Sequence, residues 1–265
     1  MRFLLANDDG IFAPGLRALA EALVTRGQVK VIAPEREQSA AGHAVTLHKP
    51  LRLMPAQLNG LDVDAYACSG TPADCVALGT IDPADLPDMV LSGINDGANL
   101  AEEVLYSGTA SAAMEGALYD LPSFALSVVR NDQPTRFDVA ARVAQWIVDT
   151  FPRQAACRAC FFNVNVPNLP PEEIKGVEIT RLGRRRYVNR LSRRTDPRGR
   201  PYFWFAGEPA EQDASAGTDL AAIQAGRISI SPLHFDLTSH ADIDPLTEAL
   251  RATCLSPLLE DGGRG

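Results

Sequence analysis

The residues of this chain best suited to chemistry lie at its start. An apolar run, Phe3-Leu4-Leu5-Ala6, ends in Asn7-Asp8-Asp9-Gly10. Adjacent carboxylates repel each other unless a proton or a cation sits between them. Oxygen donors of this kind suit hard divalent cations. Two further stretches offer compatible groups: Glu35, Glu37, Gln38 and Ser39 after residues 29–33, and Ser92-Gly93-Ile94-Asn95-Asp96 after residues 89–91. Carboxylates, an amide oxygen and hydroxyls match Mg2+, Mn2+ or Ca2+ better than Zn2+. Taken singly, Asp8, Asp9 and Asn95 read equally well as turn formers and helix caps.

A second constellation is Tyr106-Ser107-Gly108-Thr109, which opens a run of small residues. Free amides at a helix N-terminus attract anions, and the helix dipole adds to this. A phosphate facing the cation is one reading, and plain N-capping is the other. Ser69-Gly70-Thr71-Pro72 is a similar helix entry. The glycines of residues 10–15 imitate a phosphate-binding loop, but Leu16-Arg17 stands where that loop needs Lys and a hydroxyl. No G-x-G-x-x-G follows the first strand, and no G-x-S-x-G is present. Among the four histidines, His43 lies close to Ser39 in sequence and could reach the site, although a lone loop histidine is usually solvated.

Repeated strand-helix units must position these groups. Residues 1–6 read as a buried strand, 14–26 as a helix with Leu16, Leu19 and Leu23 on one face, and 29–33 as a second strand. Residues 44–54 alternate poorly. Strands are expected at 63–68, 89–91, 123–129 and 161–166, with helices at 72–78, 109–119 and 136–150. Thr71 is the expected N-cap of the helix that begins at Pro72. This order predicts an α/β fold with a doubly wound, mostly parallel sheet. Its strand C-termini would gather the three acidic and polar loops on one edge. Residues 1–170 form the expected core. Beyond it, 177–182 and 201–205 read as strands around an Arg-rich loop at 184–200, an expected hairpin arm, and a last helix is expected near 246–252.

Composition narrows the classes. With 265 residues and a net charge of -8, a general nucleic-acid binder is not expected. No apolar run is long enough to cross a membrane as a helix. The first residues read as a strand rather than a signal peptide, so the cytoplasm is the expected compartment. Five cysteines, an odd number, fit free thiols. Cys157-Arg158-Ala159-Cys160 has redox or zinc spacing but no second ligand pair.

Several motifs together resemble the SurE survival proteins, a family of metal-dependent 5′-nucleotidases and acid phosphatases. They are Asn7-Asp8-Asp9-Gly10, the Ser-Gly-Thr-Pro-Ala-Asp-Cys stretch at 69–75, Ser92-Gly93-Ile94-Asn95, and Tyr106-Ser107-Gly108-Thr109 through Glu115-Gly116. Asn163-Val164-Asn165-Val166-Pro167, residues 194–200 and residues 228–233 fit as well. The resemblance implies a Rossmann-like core with a protruding β-hairpin, a swapped C-terminal segment within 171–265, and a homodimer or homotetramer. It also implies one divalent cation per subunit, Mg2+ or Mn2+, on Asp8, Asp9, Ser39 and Asn95. Asp8 and Asp9 would be catalytic, and Ser107, Gly108, Thr109 and Asn95 would hold the substrate phosphate. The implied reaction is hydrolysis of nucleoside 5′-monophosphates, with short polyphosphate as a further substrate. Asp8, a water on the cation, or His43 would protonate the leaving group. Asp96 departs from the family pattern and adds negative charge beside the site. The competing expectation is a non-catalytic Mg2+-dependent nucleotide binder or a receiver-like signalling module. A receiver needs a Lys after a late strand, where this chain has Val128-Val129-Arg130.

Overall fold

The computed structural model describes residues 1–151, 160–188, 191–205 and 208–251. The first part of the chain runs β1 (Arg2–Ala6), α1 (Pro14–Leu23), β2 (Gln28–Pro34), β3 (Leu53–Ala56), β4 (Asp64–Cys68) and α2 (Pro72–Gly79). It continues through β5 (Met89–Asp96), α3 (Gly108–Leu118), β6 (Ser123–Val129), α4 (Phe137–Thr150) and β7 (Cys160–Pro167). The remainder comprises β8 (Val177–Ile179), β9 (Arg184–Val188), β10 (Leu191–Thr195), β11 (Pro201–Phe205), β12 (Glu208–Asp213), α5 (Asp219–Gln224), β13 (Ile228–His234) and α6 (His240–Arg251). Met1–His234 form one compact unit and Phe235–Gly265 a second, to which α6 belongs.

A nine-stranded sheet, ordered β3-β4-β2-β1-β5-β6-β7-β13-β8, organises the first unit. The strands from β4 across to β7 are parallel, while β3 and β13 run antiparallel to their neighbours β4 and β7. β1 shows why the sheet is covered on both sides. Phe3 and Leu5 join one apolar cluster with α1 and α4, whereas Leu4 and Ala6 join another with α2 and α3. Alternate residues of a strand face opposite ways, so an unbroken apolar strand demands helices on both faces. Leu16, Leu19 and Leu23 seal α1 to its face with no exposed surface, each contributing about 1.5–3 kcal/mol of burial. From β1 the chain winds one way to β2 and β4, then returns to lay β5 on the other side of β1. The β1/β5 boundary is therefore the topological switch point, where open α/β sheets bind ligands.

Four expectations change in detail. Ser92 to Asp96, expected as a loop, extends β5, which keeps pairing with β6 after a register shift between Ser92 and Asn95. The shift lies at Gly93, whose φ is +126° and where a Cβ would stand 2.3 Å from the Leu126 carbonyl oxygen; only glycine fits. The Arg-rich run is strand rather than loop: β9 pairs with β12, and β10 with β11, in two antiparallel ribbons. β8, expected to pair within the arm, instead runs parallel to β13 at the edge of the main sheet. Finally, α6 begins at His240, before the expected start near residue 246. Cys157 and Cys254 lie outside the described residues.

The later segments are bound to the core through Asp219, whose side chain is fully buried. Its Oδ2 accepts from the Ala101 amide at 2.7 Å, and its Oδ1 from the Gly183 and Leu220 amides at 2.8 Å each. Losing these acceptors would leave buried donors without partners, at about 1–3 kcal/mol each. Asp219→Ala should therefore lower unfolding free energy by about 3 kcal/mol in urea titration, while exposed Asp132→Ala stays within about 0.5 kcal/mol of the parent.

Candidate active site

The tip of β1 is shaped by Asn7, which is fully buried. Its Nδ2 donates to the Gly10 carbonyl at 2.9 Å, and its Oδ1 accepts from the Gly10 amide at 3.2 Å. This Asx-type turn presents Asp8 and Asp9 off the end of the strand. The loop after β2 is tied to the same tip, because the Gln38 amide donates to the Asp8 carbonyl at 2.7 Å. Ser39 follows directly; it is exposed, and its hydroxyl donates to Glu37 Oε1 at 2.5 Å. On the other side of β1, Asn95 stands near the end of β5, with its Nδ2 donating to the Gly97 carbonyl at 2.9 Å. That bond fixes the amide and leaves Oδ1 as the atom suited to a cation.

Asp8 sits against the N-terminus of α3. Thr109 donates to it twice, from Oγ1 to Oδ1 at 2.5 Å and from the backbone amide to Oδ2 at 3.1 Å. Gly108 lies so close that a Cβ there would come within 2.7 Å of the Asp8 Cβ. The expected anion site at this helix start thus engages the protein's own carboxylate. Ser107 acts as the N-cap, its Oγ accepting from the Ala110 amide at 3.0 Å. A phosphate held by Ser107, Gly108 and Thr109 would have to share these amides with Asp8.

The electrostatics of the pair are unfavourable as it stands. Burial pushes the Asp8 carboxyl above its ordinary range, against the lowering effect of its Thr109 bonds. Burial, and then the neighbouring Asp8 charge, push Asp9 up to about 6, with Asp96 and Glu37 adding to the effect. The nearby Asp96 backbone partly offsets this. Among the described residues no lysine, arginine or histidine forms a salt bridge with either acid. A buried anionic pair lacking a cation, beside amide and hydroxyl oxygens, is the donor chemistry of a hard divalent ion. No cluster of three His, Cys, Asp or Glu side chains with metal-site geometry occurs among the described residues.

Two other side chains fall differently from expectation. His43 Nε2 lies 2.7 Å from Glu115 Oε2 on α3. Glu115 is six residues past Thr109, about 9 Å along the helix, so His43 braces the loop against α3 rather than joining the Asp8–Thr109 contact. Asp96, in turn, has partners that sequence reasoning missed. Arg130 Nη2 donates to its Oδ2 at 2.6 Å and Thr135 Oγ1 to its Oδ1 at 2.7 Å. The missed signal was order: β5 and β6 are parallel neighbours, so residues just past their ends meet.

Similarity to known proteins follows the same residues. The family model described as Survival protein SurE matches residues 3–189. The chain is 46% identical over 251 residues to the 5′-nucleotidase SurE of Heliobacterium modesticaldum, covering 94% of this chain and 92% of that one. It is 48% identical over 242 residues to the 5′-nucleotidase SurE of Moorella thermoacetica, covering 91% and 93% respectively. The crystal structure of the SurE protein from Aquifex aeolicus superposes with a TM-score of 0.79 at 42% identity, covering 94% of this chain and 99% of that one.

The repulsion between the acids gives a measurable sign. Asp9 binds its proton more tightly in the fold than in the unfolded chain, so its ionisation destabilises the fold. That penalty is complete above about 6 and absent below the ordinary carboxylate pKa. In chelator at pH 8, Asp9→Asn should be more stable than the parent by about 1 kcal/mol, after allowance for its partial exposure. The gain should fade as pH falls toward 4, measured by denaturant unfolding at both pH values.

Proposed function

The chain belongs to the SurE family, and from that premise we propose that it is a divalent-cation-dependent phosphomonoesterase acting on nucleoside 5′-monophosphates. The single observation that carries this reading is the buried, unneutralised Asp8–Asp9 pair at the switch point, with the start of α3 facing it. Asp8, Asp9, Ser39 and Asn95 would hold one Mg2+ or Mn2+. When bound, such an ion supplies Lewis acidity, neutralising charge on the phosphoryl group and acidifying water.

The chain's own residues do the positioning. Thr109 keeps Asp8 in one orientation through two hydrogen bonds. The amides of Gly108 and Thr109 and the α3 dipole favour negative charge at this spot, so a phosphate is drawn to the place where the two acids stand. Asn95, near the end of β5, would serve both the cation and the phosphate. Tying the Ser39 loop to the Asp8 carbonyl makes the β1 and β2 tips move as one piece.

Assembly and location are part of the same reading. α6 has no buried residue, and Ile243, Leu246 and Leu250 recur on one face of it. A helix with an uncovered apolar face fits exchange with a second copy in a homodimer or homotetramer, with residues 171–265 serving that assembly. No helix among the described residues is long and apolar enough to cross a membrane, and the free thiols of Cys68 and Cys75 suit a reducing cytoplasm.

Phosphate release should be measured across nucleoside 5′-monophosphates with Mg2+ or Mn2+, with and without chelator. The parent should turn over repeatedly and stop when chelated. Asp8→Asn and Asp9→Asn should each lose about 100-fold or more in kcat while unfolding cooperatively. Undiminished hydrolysis by both variants would rule the assignment out.

A further inference from the structure

Beyond the acidic pair, the same edge of the sheet carries a groove of about 510 Å3. It lies past the C-terminal ends of β6 and β7 and is closed on its far side by the end of α5. Its size falls within the range of small-molecule sites. A pocket at the opposite edge, around the starts of β1 and β2, offers only about 40 Å3 and faces the wrong strand ends for a ligand.

The groove and the acidic pair share a wall. Arg130 lines the groove, and its guanidinium donates to Asp96 at 2.6 Å. Asp96 in turn ends β5, the parallel neighbour of β1, whose tip carries Asp9. One ion pair therefore separates the groove from the carboxylates, and a ligand anchored by phosphate at the acids would extend past Arg130 into it.

The wall is also preformed. Asn168 fastens the β6–α4 loop: its Oδ1 accepts from the Arg136 amide at 2.9 Å, and its Nδ2 donates to Asn131 Oδ1 at 2.7 Å and to the Gln133 and Pro134 carbonyls at 3.3 and 3.2 Å. Thr135, in this loop, holds the other oxygen of Asp96 at 2.7 Å. Loop, ion pair and groove wall thus form one hydrogen-bonded piece.

The lining states what fits. Val129, Leu169 and Ile223 give an apolar floor, and Val129 and Ile223 are backed by buried Leu100 and Leu220. Charges around the rim cancel, with Arg130 and Lys175 against Glu172 and Glu173. A polyanion gains little from such a rim, whereas a flat, uncharged, partly apolar group gains burial, and a guanidinium plane can stack on its face. We propose that this groove binds the nucleoside part of the substrate, with Arg130 as the specificity-determining residue on the wall it shares with the acidic pair. The assignment rests on the nucleotidase reading for its phosphate anchor.

Leu169→Trp and Gln224→Trp fill the groove from two sides, and both positions tolerate bulk because neither is buried. Two readouts separate the questions. The first is calorimetric titration of adenosine, which needs no turnover. The parent should bind it, and both variants should weaken it about tenfold or more. The second is kcat/KM for adenosine 5′-monophosphate divided by that for ribose 5-phosphate, which lacks only the base. This ratio should fall about tenfold in both variants, through KM, whereas a general folding defect would lower both substrates together. Arg130→Ala should lower the ratio as well, and Arg130→Lys should not restore it. Adenosine binding equally to parent and variants, or not at all to the parent, overturns the groove assignment. Failure of the parent to release phosphate from either ester overturns the nucleotidase reading instead.

Discussion

The Asp8 carboxylate, buried at the tip of β1 and held by two donors from Thr109, is the constraint around which the rest of the site is arranged. A buried carboxylate is costly without compensation. Here the compensation comes from the start of a helix that must reach the sheet edge closely enough to touch it. That requirement explains Gly108, where any side chain would collide with Asp8. It explains the small residues of α3, which let the helix lie close to β5 and β6. Asp9 has no such pair of donors, and the charges of Asp8, Asp96 and Glu37 push its carboxyl up. The fold holds Asp8 through Thr109 and leaves Asp9 electrostatically strained, a strain that a bound cation would relieve.

The doubly wound sheet supplies the location. β1 is apolar on both faces, so it must be central, and the return of the chain from β4 to β5 opens the crevice beside it. Strand-end loops from β1, β2 and β5 then converge without any of them being long. Asp219 and Asn168 serve this arrangement from a distance, binding the later segments and the β6–α4 loop by multiple hydrogen bonds to buried or half-buried backbone. Such multiple contacts make the edge of the sheet stiff, which suits a site that must keep like charges close.

Much of this was legible in the sequence. Apolar runs broken by Gly and Pro located β1, β2, β4, β6 and β7 to within a residue and the start of β5, and Thr71-Pro72 announced α2, whose capping box is present. Adjacent acids after a buried strand fall at the switch point of the sheet. What periodicity could not carry was pairing. The Arg-rich stretch looked like a loop because charged residues on both faces hide the alternation of a strand, yet β9 and β10 each find an antiparallel partner. The tail of β5 looked like a loop because Gly93 and Asn95 are turn residues, while a register shift absorbs them within the sheet. Arg130 was invisible as a site-wall residue, since only the adjacency of β5 and β6 brings it to Asp96. Thr109, read as a phosphate ligand, turns out to hold Asp8 first.

The central claim is that the Asp8–Asp9 pair is a cation site. It is tested most directly by calorimetric titration of Mn2+ into the chelator-stripped parent and into the Asp8→Asn/Asp9→Asn double variant, both shown to be folded. The account predicts one Mn2+ per chain for the parent, and an affinity reduced at least about 100-fold in the double variant, since both carboxylate ligands are gone. Equal Mn2+ affinity in the two proteins would contradict it.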